Sequence, residues 1–371
     1  MSFKELLNAY IAKKIPESQK KYVEEEIEKF QVISDYLEDQ QLKIKPEDMI
    51  NKESLDELYA IKKSMKRRTR RTVFMSACLV ISILIFINFT AIPLMDHLFY
   101  NPFKRTMSSQ GSDFELCMEV YHELHFAEPN GIGITTDRTG IGEYDITIMG
   151  YNYMQNEYQY QIAKLKRGEF SFPINYWDNF LGFYSDGGID FELQKNYLSQ
   201  LPSYVTIQAK VSFNQDLSME DLAALSSKYK DSGIWFSWAG IRIAEDRNDW
   251  PPMAMGFDMV GDGNVYSDVN EKYPNYEVDE YITNQNNQTS SELYETHVKS
   301  LLKIMIDNKK FLKLQESGFD LHNYYKSSLD FLEQNGVNTI GIIVNGDPKS
   351  VLGLCEEEFI GNVQINSVQF K

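Results

Sequence analysis

The chain has 371 residues, a net charge of −17, 43% hydrophobic content and 13% aromatic content. This composition supports a sizeable core and argues against intrinsic disorder as the default state. The acidic balance argues against a general nucleic-acid binder, because phosphate contacts require clustered Lys and Arg.

Charge is placed unevenly. Residues 1–71 hold 16 basic and 14 acidic side chains, residues 96–371 hold 21 and 40, and residues 72–95 hold none. Such asymmetry predicts two different surfaces or compartments. Cys78, Cys117 and Cys355 form no CxxC pair and no disulfide framework. Cys117 and Cys355 are either isolated buried thiols or, outside the cell, a bridge.

Residues 1–71 read as helical. Ser2 is placed to cap a first helix, with Leu6, Leu7, Tyr10 and Ile11 on one apolar face. Ile15-Pro16-Glu17-Ser18 breaks that helix and starts a second. In it Val23, Ile27, Phe30, Ser34 and Leu37 fall at i, i+4, i+7, i+11 and i+14, with Ile33 and Tyr36 beside them. Glu24, Glu25, Glu28, Lys29 and Asp35 form the opposite face. A break near Lys45-Pro46 precedes a third helix, with Leu55, Leu58 and Ile61 leading to the membrane. Three short helices bury little surface alone. The module is either stabilised by a partner or a simple membrane-proximal hairpin.

The second helix resembles the cytoplasmic heads of anti-sigma factors, which often carry a His-x-x-x-Cys-x-x-Cys zinc motif. In the equivalent frame Glu26 stands at the His position, and Phe30 and Ile33 stand at the Cys positions. No thiolate or imidazole is present there to hold the metal, so a metal-free apolar core is expected and no cofactor is implied.

Val73–Ile92 is 20 residues without a charge. At 1.5 Å per residue this matches a hydrocarbon core of roughly 30 Å. Pro93 is the expected helix stop. Seven basic residues crowd the upstream flank, ending in Arg67, Arg68, Arg70 and Arg71. By the positive-inside rule the N-terminus stays cytoplasmic and residues from about 96 lie outside. The same arginines are a candidate lipid-facing patch. A cleaved signal peptide fits poorly, because 72 residues precede this long run.

Beyond the span, residues 114–177 read as strand-rich, with alternation over Tyr144–Met149, turn signals over Gly131–Gly142 and a loop at Ser185–Ile189. Two stretches then follow a β-α-β rhythm. The first is strand Tyr204–Phe213, helix Ser218–Tyr229 and strand Gly233–Ile243. The second is strand Thr339–Asn345, helix Pro348–Glu358 and strand Asn362–Phe370. Val205, Ile207, Ala209, Val211 and Phe213 share one face of the first strand. Helices are expected near Ser290–Glu316 and Asp320–Gln334. The predicted fold is a short all-α cytoplasmic head (1–71), one transmembrane helix (72–95) and an α+β extracytoplasmic domain (96–371). That domain comprises a strand-rich part (114–200) and paired β-α-β units of the ferredoxin-like type (201–371).

This outer region resembles the sigma factor regulator C-terminal domain. The likeness is carried by Val205–Phe213 with Leu217–Leu222, by Trp235–Trp238, and by Asn335-Gly336 with Gly341–Gly346. The family pairs such a domain with one membrane span and a short helical head. The resemblance implies that the head binds an extracytoplasmic-function sigma factor, with Val23, Ile27, Phe30 and Leu37 as its surface. It also implies that the outer domain reports on the envelope or binds a membrane protein partner. No direct nucleic-acid contact is implied.

Other constellations read more simply as structure. His122 and His125 are three apart, not the four of HExxH, and suit a surface or half-buried helix face. Asp258, Asp262, Asn264 and Asp268 surround Gly261–Asn264, but without EF-hand spacing, so a β-turn is expected. Tyr151, Tyr153, Tyr158 and Tyr160 suit cross-strand packing, and Glu356–Glu358 a solvated helix end. No GxSxG, Walker A, GxGxxG or kinase signature is present, and an enzyme is not expected. The rival readings are an extracytoplasmic binding or envelope-assembly protein with an anchor, and a membrane-tethered hydrolase with a convergent polar pocket.

Overall fold

The computed structural model describes residues 3–12, 15–43, 52–127, 130–152, 157–171, 183, 190–245, 254–261, 266–278, 289–315 and 319–370. It divides into two compact units, Met1–Ile85 and Phe86–Lys371. Ser2, the Lys45-Pro46 break, Tyr153, the loop at 185–189 and Asp262–Asn264 lie outside the described residues.

In the first unit, α1 (Phe3–Ile11) packs on α2 (Glu17–Lys43). Pro16 O accepts the first amide hydrogen bonds of α2, from Gln19 and Lys20, so the predicted break and restart are both present. The Phe3 ring meets the Tyr22 ring edge-on at 6.4 Å, and the Tyr10 hydroxyl donates to Glu24 at 3.1 Å. Val23 is fully buried. Ile11, expected on the face of Leu6 and Tyr10, is instead 73% exposed. It is the last residue of α1 and lies about 100° around the helix from Tyr10, toward solvent.

The next helix, α3 (Lys52–Phe86), runs into one π-helical turn, Ile87–Ala91, and then α4 (Ile92–Leu98). Pro93 therefore does not stop the helix. Proline has no N–H and its ring crowds the carbonyl four residues back. The preceding π turn changes that spacing, with the Ile92 N–H bonding to Ile87 O. The stop comes at Phe99, which is extended and caps Met95 O at 2.8 Å. Tyr59–Met95 is long and apolar enough to cross a membrane, and its apolar window is not buried in the protein. Ser76 returns its hydroxyl hydrogen to Thr72 O at 3.0 Å, which hides a polar group within the helix.

In the second unit, residues 113–125 depart from the strand-rich expectation. They form α5 (Asp113–His125) at the head of that stretch, which agrees with the helix face expected for His122 and His125. A capping box fixes its start: Ser112 accepts from the Glu115 amide, and Glu115 accepts from the Ser112 amide. Strands follow as β1 (Asn130–Gly140), β2 (Glu143–Asn152), β3 (Glu157–Lys166) and β4 (Glu169–Ser171). They form one antiparallel sheet in chain order. Tyr144, Ile146, Ile148, Ala163 and Leu165 face the core with α5, as the alternation predicts.

After α6 (Phe191–Gln200) comes β5 (Val205–Ser218), α7 (Met219–Tyr229), β6 (Ile234–Ile241), β7 (Gly256–Asp258) and α8 (Ser267–Lys272). Then follow α9 (Ser290–Asp307), α10 (Lys309–Gln315), α11 (Leu321–Asn335), β8 (Asn338–Gly346), α12 (Pro348–Leu354) and β9 (Ile360–Phe370). The second sheet has the order β7-β6-β8-β5-β9 with antiparallel neighbours. The helix-linked strands β5 and β6 are separated by β8, and β8 and β9 by β5. Val205, Ile207, Ala209, Val211 and Phe213 are all buried. The single helix expected over 290–316 is interrupted at Asn308, whose side chain donates to Ile304 O at 2.7 Å. The helix expected to run to Glu358 ends at Leu354. Glu357 then turns back to Lys228 and Tyr229, at 2.5 and 2.6 Å. Cys117 and Cys355 are buried free thiols, not a bridge.

Candidate functional site

The four predicted head residues do not share one environment. Val23 is buried and Ile27 half-buried, whereas Phe30 is 66% and Leu37 55% exposed. The cause is helix length. The nine residues of α1 extend about 13 Å, against about 40 Å for the 27 residues of α2. The first helix meets α2 at Tyr22 and Glu24 and covers Val23. Farther along, Phe30, Ile33, Tyr36 and Leu37 are exposed. The stripe thus divides into an N-terminal part that holds the helices together and a C-terminal apolar ridge. Burying one Phe or Leu of that ridge against another surface contributes roughly 1.5–3 kcal/mol.

In the frame where anti-sigma heads place metal ligands, Glu26 ion-pairs with Lys29 at 2.6 Å, one turn from the exposed Phe30. Among the described residues no group of three or more His, Cys, Asp or Glu is placed to hold a metal ion. Arg67, Arg68, Arg70 and Arg71 are exposed on α3, immediately before the apolar run.

A polar cluster lies in the second unit around α5. His122 and His125 are buried, which corrects the expectation of a surface or half-buried face. His122 stacks on Phe126 at 5.2 Å. His125 bonds through Nδ1 to Ala254 O at 2.8 Å and through Nε2 to the Tyr325 hydroxyl at 2.6 Å. Burial pushes the His122 imidazole down to about 3 and the His125 imidazole down to about 4, so both are neutral near pH 7. Between them in sequence, Glu123 Oε1 lies 2.6 Å from His297 Nε2 and accepts the Asp258 amide at 3.0 Å. The Glu123 carbonyl accepts from Trp238 Nε1 at 2.7 Å. One turn of α5 is thereby tied to β6, β7, α9 and α11. Both His125 nitrogens are occupied, and the cluster is a buried clamp, not an open pocket. His297 and Tyr325 escaped the sequence reading, and Glu123 and Trp238 were noted only in their local context, because nothing in a linear pattern joins residues this far apart.

Tyr151 and Tyr158 face each other across β2 and β3 with ring centroids 5.0 Å apart, an edge-on cross-strand pair. Asp268 accepts the Ser109 amide at 2.6 Å, and Asp258 belongs to β7. The Asp268 carboxylate is thus engaged by the Ser109 and Val269 amides.

Residues 198–367 match the family described as sigma factor regulator C-terminal. This part of the chain is similar to sigma factor regulator C-terminal domains. The match begins at the end of α6 and takes in β5 to β8 and most of β9, including the outer-region segments that carried the resemblance but not the head. It leaves out α5 and the first sheet. No curated protein and no solved structure matches the chain. The domain implies a sigma factor as the partner in general, and with the Tyr59–Met95 helix it points to a membrane protein.

Proposed function

We propose that the chain is a membrane-bound negative regulator that sequesters an extracytoplasmic-function sigma factor. The head (1–71) is cytoplasmic and withholds the factor from RNA polymerase. Residues 72–95 cross the membrane, and residues 96–371 sense the envelope or a membrane partner. The observation that carries this reading is the sigma-regulator match over 198–367 in a chain whose α2 presents an exposed apolar ridge. Sequestration requires a competing helical surface and no catalytic group. The basic flank supports the orientation, since Lys and Arg are retained on the cytoplasmic side. In the same reading residues 201–371 are two split β-α-β units of the ferredoxin-like type. The order β6-β8-β5-β9, in which each helix-linked pair encloses one strand, supports that assignment.

The test is affinity purification of the full chain from detergent-solubilised membranes, with the co-purifying proteins identified by mass. A sigma factor recovered in near-stoichiometric amount supports the proposal. Recovery of envelope proteins alone would favour an anchored binding protein.

A further inference from the structure

Two β-hairpin tips of the first sheet lie against the residues that follow the apolar helix. A Cβ built on Gly142, in the β1–β2 turn, would lie 3.7 Å from Met95 Cε and 3.9 Å from the Phe99 ring. One built on Gly168, in the β3–β4 turn, would lie 3.7 Å from the same ring. The tips are also joined to each other, since the Arg167 amide donates to Gly142 O at 2.7 Å. Met95 is the last residue of the membrane-capable helix. Both tips therefore sit where that helix ends.

The residue before the glycine in each tip, Ile141 and Arg167, is unusual for a turn, where Gly, Asn and Asp prevail. Ile141 occupies the first tip and is 40% exposed. Arg167 and Gly168 form the second, at φ 51° and 85°, between the paired Lys166 and Glu169. Positive φ at both central residues is the type I′ pattern, in which a long side chain on a Cβ is disfavoured. Nearby, the Arg138 guanidinium lies over the rings of Phe103 and Tyr144, at 5.6 and 5.4 Å, which holds its charge beside the first tip. Segments 98–105, 137–145 and 164–169 together hold six Lys or Arg against four Asp or Glu. The whole of 96–371 is by contrast strongly acidic, with 21 basic and 40 acidic residues.

The geometry points to a membrane-surface contact: the Ile141 and Arg167 tips, with Arg138, dock on anionic lipid headgroups where the helix emerges. An exposed apolar residue flanked by arginines, continuous with a membrane span, suits the boundary between headgroups and acyl chains. Seating the first sheet there would set the stance of the domain behind it. This inference rests on the membrane-spanning reading and not on which side the N-terminus occupies.

The test uses the full chain in vesicles of phosphatidylcholine with about 30% phosphatidylglycerol, an anionic surface. Nitroxides are attached at Ile141→Cys, at Tyr158→Cys and at Leu79→Cys within the span. Tyr158 lies about 26 Å along β3 from Lys166 and serves as the aqueous reference. The expected result is greater access of oxygen than of a nickel chelate at positions 141 and 79, and the reverse at 158. A lipid-like 79 with a water-like 141 would overturn the contact and leave the span intact; water-like behaviour at both would overturn span and contact together. Arg167→Asn preserves the turn, because Asn accepts positive φ. With Arg138→Gln it should shift the docked population about fivefold per arginine, and only when anionic lipid is present. Unchanged immersion in the double variant would also overturn the headgroup contact.

Discussion

His297 Nε2 lies 2.6 Å from Glu123 Oε1, across 174 residues of sequence, with both side chains largely withdrawn from water. The same carboxylate oxygen accepts the Asp258 amide. Glu123→Ala would leave that amide without its acceptor and His297 Nε2 without its partner, with only Nδ1 still held by Asn275 O at 2.7 Å. Unpairing a buried group of this kind costs roughly 2–4 kcal/mol. Thermal unfolding of residues 100–371 followed by circular dichroism should show Tm falling on the order of 10 °C. Glu295→Ala removes a half-exposed partner of Lys299 and should change stability by less than about 0.5 kcal/mol. Equal effects from the two variants would show that the clamp is not a stabilising device.

The buried histidines predict a specific acid response. Their folded values, about 3 for His122 and about 4 for His125, lie below the ordinary 6.5, so the unfolded chain binds more protons between these limits. Stability is then fully present above pH 6.5 and is lost as pH falls toward 4, by on the order of 1.4 kcal/mol per pH unit for each histidine. Melting temperature measured from pH 8 to 4.5 should be flat at first and then decline. His122→Leu should reduce the slope by about half. A slope unchanged by this substitution would assign the response to other groups.

The proposed orientation, with the N-terminus inside, rests on the basic flank and is open to a direct test. Protease added to intact protoplasts should digest residues beyond about 100 and spare the first 60. A protected C-terminal domain would reverse the topology and remove the basis for a cytoplasmic head.

The fold was legible where periodicity and local chemistry act together. The alternation of Val205–Phe213 fixes a strand with one apolar face, because a one-residue slip would take five apolar side chains off the main core and put Thr206, Gln208, Lys210 and Ser212 in their place. Ser218 marks the start of α7 by capping Asp221. Where a local signal was outweighed, the reading failed. Pro93 is a sound stop signal, yet the π turn before it lets the helix run on to Leu98. Residues 113–125 carry Glu115, Glu119 and Glu123 at i, i+4 and i+8, a helical polar stripe that the strand-rich expectation passed over, and the Ser112–Glu115 box fixes where the helix starts. The insertion of β8 between β5 and β6, and the clamp built on Glu123, depend on pairings over a hundred residues apart, which no local pattern records. For the head, the apolar period revealed the stripe but not its division, which depends on how far α1 reaches.

The absence of thiolate and imidazole from the frame Glu26, Phe30 and Ile33 predicts a head that folds without zinc. Purified residues 1–71, with the partner if needed, should contain no stoichiometric metal by elemental analysis. Tightly bound zinc would mean that ligands lie elsewhere in the head.

The division of the α2 stripe yields the sharpest test of sigma-factor binding. Val23 is enclosed by α1, so Val23→Asp should unfold the head and is uninformative about a partner surface. Phe30 is two-thirds exposed, so Phe30→Asp leaves the isolated helices intact. In a complex the same carboxylate would be desolvated where a ring had been buried, losing roughly 1.5–3 kcal/mol of apolar burial and adding the desolvation penalty. Affinity for the sigma factor should fall by at least about tenfold, and a reporter driven by that factor's promoter should rise. Glu28→Ala, on the polar face of α2, should change both by less than about twofold. Membrane abundance of the two variants must be measured alongside, since equal levels are required for the comparison. Unaltered binding and reporter output with Phe30→Asp would remove the ridge as the working surface and favour a head that serves only as an anchor.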